Sequence, residues 1–178
     1  THEIYSETPV RQMGDIDILV REDDKRRAET LLYEMGFEFK EGPHRWQTRR
    51  CDLLFGRSGY IKKDLDVDLQ WEPRFLVAGH LIEWKAPSAW QNVLPSPSLG
   101  KNVFLLSPEN HLRYLLLQIC NDWGQRRLLA VQLLDFALLS KKCKREPFFR
   151  YPKYIPPASK KMLETFEQLM RECFSEEK

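Results

Sequence analysis

The stretch "MGDIDILV", residues 13–20, decides the reading of this chain. Two aspartates, Asp15 and Asp17, stand one residue apart in a run that is otherwise apolar. Residues 14–20 have the β-branched, alternating pattern of a strand, with Gly14 at its entry. In a strand, residues i and i+2 share a face, so both carboxylates project together, about 7 Å apart along the backbone. Ile16, Ile18 and Val20 share the other face, which is expected to be core.

The same parity recurs at "DLDVDLQW", residues 64–71. Asp64, Asp66, Asp68 and Gln70 fall on one face; Leu65, Val67, Leu69 and Trp71 fall on the other. Taken alone, such alternation more often marks the solvated side of an antiparallel sheet. If the two strands are neighbours, however, their carboxylates converge. Two charges 4 Å apart repel by about 4 kcal/mol at an effective dielectric near 20. Protons or cations must offset that repulsion. Magnesium suits the task, because it takes carboxylate, phosphate and water oxygens. Paired metals can clamp both oxygens of an in-line phosphoryl displacement.

The rest of the chain sets the frame. With 178 residues it is long enough for one good-sized domain or two small ones. Its 28 basic residues barely exceed its 26 acidic ones, so net charge makes no case for nucleic acid or membrane binding. No run approaches the length of a membrane span. The four cysteines are far apart and form no CxxC pair, which argues against a disulfide framework or a zinc site and for reduced thiols in the cytoplasm.

Residues 21–39 read as a helix, with Asp23 or Asp24 as cap, Ala28, Leu31, Leu32 and Met35 at helical spacing, and Gly36 as the stop. Around "RWQTRRCDLLF" and "YIKKDLDVDLQW", two strands are expected, joined by a turn at "GRSG". Residues 72–104 read as a connection with short pieces of structure. "LSPENHLRYLLLQIC" is a strong helix start, with Ser107 as cap, Pro108 in the first turn and Glu109 favouring the helix dipole. A second helix runs through "RRLLAVQLLDFALLSKK". After the basic, aromatic segment 144–157 comes a last helix with an apolar stripe from Met162 to Phe174. The expected fold is α+β: a small mixed β-sheet with flanking helices over 1–104, followed by a helical region over 105–178.

These residues carry a resemblance. "R-x-M-G-D-I-D-I-L-V", Arg11 to Val20, resembles the signature of the polymerase-beta-like nucleotidyltransferase superfamily. More closely, the chain resembles a bacterial family of uncharacterised nucleotidyltransferases. In that family a helix ending in Gly-aromatic follows, here Gly36-Phe37. Later come a Val-Glu-Leu-His-Trp strand, here Val67 to Trp71, a Leu-Ser-Pro-Glu helix start, here Leu106 to Glu109, and an Asp-x-Ala-x-Leu helix, here Asp135 to Leu139. The resemblance implies a nucleotidyltransferase fold in which Asp15, Asp17 and Asp68 are catalytic and hold Mg2+ or Mn2+. Asp68 is chosen over Asp66 because Leu-Gln-Trp follows it. It would also help deprotonate the attacking hydroxyl. Gln70 stands where the family usually has histidine, which leaves the role of that side chain open. Nucleotide contacts are assigned to Gly14, Arg11 and His44, with a surface-loop histidine an equal reading for the last.

The superfamily's glycine-containing phosphate loop has no match before Gly14. The chain is therefore expected to begin just after it, through trimming, incompleteness or natural loss. The implied activity is metal-dependent transfer of a nucleotidyl group from a nucleoside triphosphate to an unknown small-molecule or macromolecular acceptor. Two alternatives stand beside it: an inactive binding or scaffold member of the fold, and a kinase-like phosphoryl transferase. Arg45, Arg49, Arg50, Arg57, Lys62 and Lys63 form a basic group on the expected hairpin, which reads first as a charged, solvated edge and second as a phosphate or nucleic-acid contact. The tryptophans read as packing before base stacking.

Overall fold

The computed structural model describes residues 14–40, 54–84, 89–127, 130–143 and 156–174, apart from the side chains at 141, 142, 170, 171, 173 and 174. Among the sequence-derived candidates, Arg11, His44, Arg45, Arg49 and Arg50 lie outside the described residues, as does the segment 144–155. The chain forms two compact units that divide between Arg74 and Phe75.

The first unit is built on a four-stranded mixed sheet. Strand β1 (Asp15–Leu19) is followed by an acidic 3-10 turn at Glu22–Asp24, helix α1 (Lys25–Glu34) and the short strand β2 (Glu38–Phe39). Strands β3 (Arg57–Lys62) and β4 (Leu65–Gln70) complete the sheet. Its order is β1-β4-β3-β2, with β1 parallel to β4 and the other pairs antiparallel. One face carries the core: Tyr60, Val67 and Leu69 are buried with Leu32 and Phe37, and Ala28, Val20 and Phe39 pack at their margin.

Helix α1 ends as its sequence predicts. Gly36 takes φ +82°, Gly36 N–H donates to the Tyr33 carbonyl, and Phe37 N–H donates to the Leu32 carbonyl, each at 2.9 Å. That is the paired closure a left-handed glycine permits. The expected aspartate cap is not made. Asp24 has helical dihedrals and its side chain caps nothing, because the 3-10 turn already occupies the first amides: Asp24 N–H donates to the Arg21 carbonyl at 2.9 Å. Glu22, Asp23 and Asp24 still place negative charge at the helix start, where the dipole favours it.

Two sequence expectations are corrected. The hairpin turn falls at Lys63–Asp64, not at "GRSG", and Asp64 is therefore a turn residue rather than a member of the carboxylate face. Lys63 takes the left-handed conformation there, at φ +55°. Of the four "GRSG" residues, three lie within β3 and only Gly56 turns the chain. At φ +63° a Cβ on Gly56 would sit 2.0 Å from the Glu72 carbonyl oxygen, so glycine is required for close approach rather than for a hairpin. The second correction concerns the face of Ile16 and Ile18, which remain 38% and 37% exposed. In the described sheet β1 has β4 on one side only, so the cover that buries Val67 and Leu69 reaches β1 only at its end, where Val20 is partly buried. Leu31 and Met35 on α1 are likewise exposed, leaving Leu32 as the buried helix residue.

The second unit is helical, with two small hairpins. Strands β5 (Arg74–Val77) and β6 (His80–Glu83) pair through left-handed Ala78 and Gly79; β7 (Leu94–Pro95) pairs with β8 (Phe104–Leu105). Three helices follow: α2 (Pro108–Gly124), α3 (Ala130–Lys142) and α4 (Pro157–Phe174). The start of α2 is as expected, with Ser107 Oγ accepting from Asn110 N–H at 3.3 Å and Pro108 in the first turn. Leu112, Leu116, Ile119 and Cys120 on α2, Phe136 on α3 and Leu163 on α4 are almost fully enclosed. Two polar bonds tie β5 to the helices: Leu76 N–H donates to Asn121 Oδ1 at 2.9 Å, and Ser159 Oγ donates to the Val77 carbonyl at 2.8 Å. Both satisfy backbone groups that a two-stranded sheet leaves over.

Cys120 and Cys143 are free and buried, and burial pushes their thiols up to about 12 and about 11, so both are inert packing residues. Among the described residues no helix is long and apolar enough to cross a membrane.

Candidate active site: an acidic sheet face

The register of β1 on β4 builds the site. Asp15 pairs with Asp66, Asp17 with Asp68, and Leu19 with Gln70. In a parallel pair, residues in register point the same way about 5 Å apart, so the four aspartates and Gln70 share the face opposite the core. Strand β3 extends that face with Ile61 opposite Asp66, Gly59 opposite Asp68 and Arg57 opposite Gln70. The strands hold this parity because a shift of one residue would bury the acids and expose Val67 and Leu69.

The charges respond to one another. The Asp17 carboxyl is pushed up to about 6, first by loss of surrounding water, then by repulsion from Asp15 and Asp68. Gln70 Nε2, which donates to Asp17 Oδ1 at 2.5 Å, and the Arg57 charge pull the other way. Asp17 as a residue still reaches solvent, so its proton exchanges with bulk water. Asp68 is also raised by burial, with Asp15 and Asp66 adding to the rise, while Arg57 and Lys40 oppose it. Lys40 Nζ bonds Asp66 Oδ2 at 2.5 Å, and the buried Asp66 Oδ1 has no hydrogen-bond partner among the described residues. The Lys40 ammonium is held above its ordinary range, chiefly by that bond.

Of the sequence-derived site residues, the structure brings Asp15, Asp17 and Asp68 onto one face. Gly14 immediately precedes β1 and is exposed, and among the described residues nothing lies within 4 Å of where its Cβ would be. Three residues gain a place that the sequence did not assign. Gln70 is 4% exposed and restrains Asp17. Lys40 reaches the acids because its N–H donates to the Gly59 carbonyl at 2.9 Å, which prolongs the β2–β3 pairing by one residue. Its signal was the Glu38/Lys40 alternation around buried-side Phe39. Arg57 leaves the group of edge charges and joins the acidic face. Lys62 does not: its ammonium caps α1 through the Met35 carbonyl at 2.6 Å.

The donor set is hard oxygen from carboxylates, which suits magnesium or manganese rather than zinc. Mutual repulsion and the unpartnered Asp66 oxygen both mark a face short of positive charge. Among the described residues, no group of three or more His, Cys, Asp or Glu is placed to hold a metal ion. The face thus offers the donor chemistry that a hard divalent ion takes, without a preformed three-ligand group among the described residues.

A mixed α+β sheet with acids on one face and a helical second half is the architecture expected of a nucleotidyltransferase. A family model described as "Uncharacterised nucleotidyltransferase" matches residues 1–176, and the chain belongs to that family. No curated protein and no solved structure matches it.

Proposed function

We propose that the protein transfers a nucleotidyl group from a nucleoside triphosphate to an acceptor hydroxyl or phosphate, with Asp15, Asp17 and Asp68 holding Mg2+ or Mn2+. The observation that carries this reading is the in-register pairing of β1 with β4, which sets those three acids on one face, with the Asp17 and Asp68 carboxyls raised. In the reaction, an acceptor oxygen attacks the α-phosphorus, the bond from that phosphorus to the bridging oxygen breaks, and pyrophosphate leaves. A divalent ion would offset charge on the phosphate oxygens. Asp68 would also accept the acceptor hydroxyl's proton as the oxygen attacks. Gln70 fixes the Asp17 carboxyl without itself titrating.

The test is pyrophosphate release from each of the four triphosphates with magnesium, for the wild type and for Asp15→Asn and Asp17→Asn. Loss of release in both variants with the fold retained supports the reading. Unchanged release in both removes it. Release of a nucleoside diphosphate in place of pyrophosphate would assign kinase-like chemistry to the same face.

A further inference from the structure

We infer that Lys40 and Arg57 form an anion clamp beside the acids, which receives the polyphosphate tail of the nucleotide. The inference rests on the nucleotidyl-transfer reading and adds what that reading lacks. A face of four aspartates repels a triphosphate, which carries several negative charges of its own. Metal alone leaves part of that charge unmatched, and side-chain cations are the usual complement.

The placement is specific. Arg57 and Gly59 are two residues apart on β3 and share the acidic face, opposite Gln70 and Asp68. Lys40 lies across from Gly59, joined to it through the backbone. The two cations thus stand on either side of a residue with no side chain. A Cβ on Gly59 would come within 3.4 Å of both Asp68 Oδ1 and Lys40 Cβ, so the floor between the cations is bare backbone next to the third acid. Glycine within a strand marks such close approach.

Both cations also have capacity to spare. Arg57 is exposed, and no described carboxylate forms an ion pair with it, although its charge is felt at both Asp17 and Asp68. The Lys40 ammonium makes one bond among the described residues, to Asp66, and its side chain is 51% exposed, leaving ammonium hydrogens for a phosphate oxygen. Asp66 then acts as the tether that aims Lys40.

The test uses inorganic tripolyphosphate with magnesium, read by calorimetry, on the wild type, Lys40→Met and Arg57→Met. Both positions are exposed, and circular dichroism checks that each variant keeps the fold. The clamp predicts that each substitution weakens tripolyphosphate at least about tenfold. It also predicts a graded loss with nucleotides: large for triphosphate, smaller for diphosphate, least for monophosphate. Arg57→Lys should recover part of the loss. Tripolyphosphate that does not bind the wild type, or binds all three proteins alike, overturns the clamp, as does equal weakening of mono- and triphosphate. Pyrophosphate release by the wild type and its loss in Asp15→Asn are scored separately. A failed clamp with intact release leaves the nucleotidyl-transfer reading standing. A working clamp without release leaves an anion site on a non-transferring protein.

Discussion

Strand β4 has two faces that differ in everything but backbone. Val67 and Leu69 are 3% and 1% exposed, whereas Asp66 and Asp68, interleaved with them, are half-buried and charged. The apolar face is satisfied by packing against α1. The acidic face is left with repulsion that the protein only partly offsets, through Lys40, Arg57 and Gln70. A sheet face optimised for stability alone would not gather four aspartates in register, since like charges directly opposite are destabilising. On the proposed reading, one side of the strand serves stability and the other serves chemistry.

The sharpest way to break that contrast is to exchange which property each face loses. Asp68→Asn is expected to lower magnesium-dependent pyrophosphate release by at least about a hundredfold, with an unchanged circular dichroism spectrum. Retained release would return Asp68 to the status of a solvated strand residue. One position along, Leu69→Ala should cost about 2–5 kcal/mol in urea denaturation, by removal of buried methyl groups and the cavity left behind. A loss below about 1 kcal/mol would mean that the core face is less tightly packed than its burial implies.

A smaller effect tests the repulsion itself. Asp17 has a carboxyl pushed up to about 6 from an ordinary value of 3.8. Between those values the folded protein binds the proton more tightly than the unfolded chain. The stability from this group is therefore fully present below the lower value and is lost as pH rises through the upper one. Asp17→Asn should then melt higher than the wild type above about pH 7, with the gap closing by about pH 4. Magnesium should narrow the same gap by stabilising the wild type. A gap that widens as pH falls would reverse the sign and contradict like-charge crowding. The least effect is expected at Asp66→Asn. The Lys40 bond is largely exposed, so its loss should change stability by less than about 1 kcal/mol.

Legibility followed the range of the interactions. The close of α1 at Gly36 and the opening of α2 at Ser107-Pro108-Glu109 were readable because caps are settled within a few residues. The hairpin turn was misplaced because glycine carries two meanings. At "GRSG" it marks close approach, by Gly56 to Glu72 and by Gly59 to Asp68, whereas the true turn at Lys63–Asp64 has ordinary residues. The exposure of Ile16 and Ile18 was unreadable because it depends on which neighbours β1 has, not on β1 itself. Lys40 was missed because its partner is 26 residues away and the pairing that delivers it is a single backbone bond to Gly59.

The sequence by itself determined the parity of the acids, the close of α1, the start of α2 and the helical second half. Those follow from the two-residue period of a strand and from local hydrogen bonding. Only the tertiary structure decided that β1 lies parallel to β4 in a register matching Asp17 with Asp68, and that Gln70, Lys40 and Arg57 are the groups answering their charge. Register between distant strands is set by burying Val67 and Leu69 under α1, a long-range packing choice that no local pattern encodes.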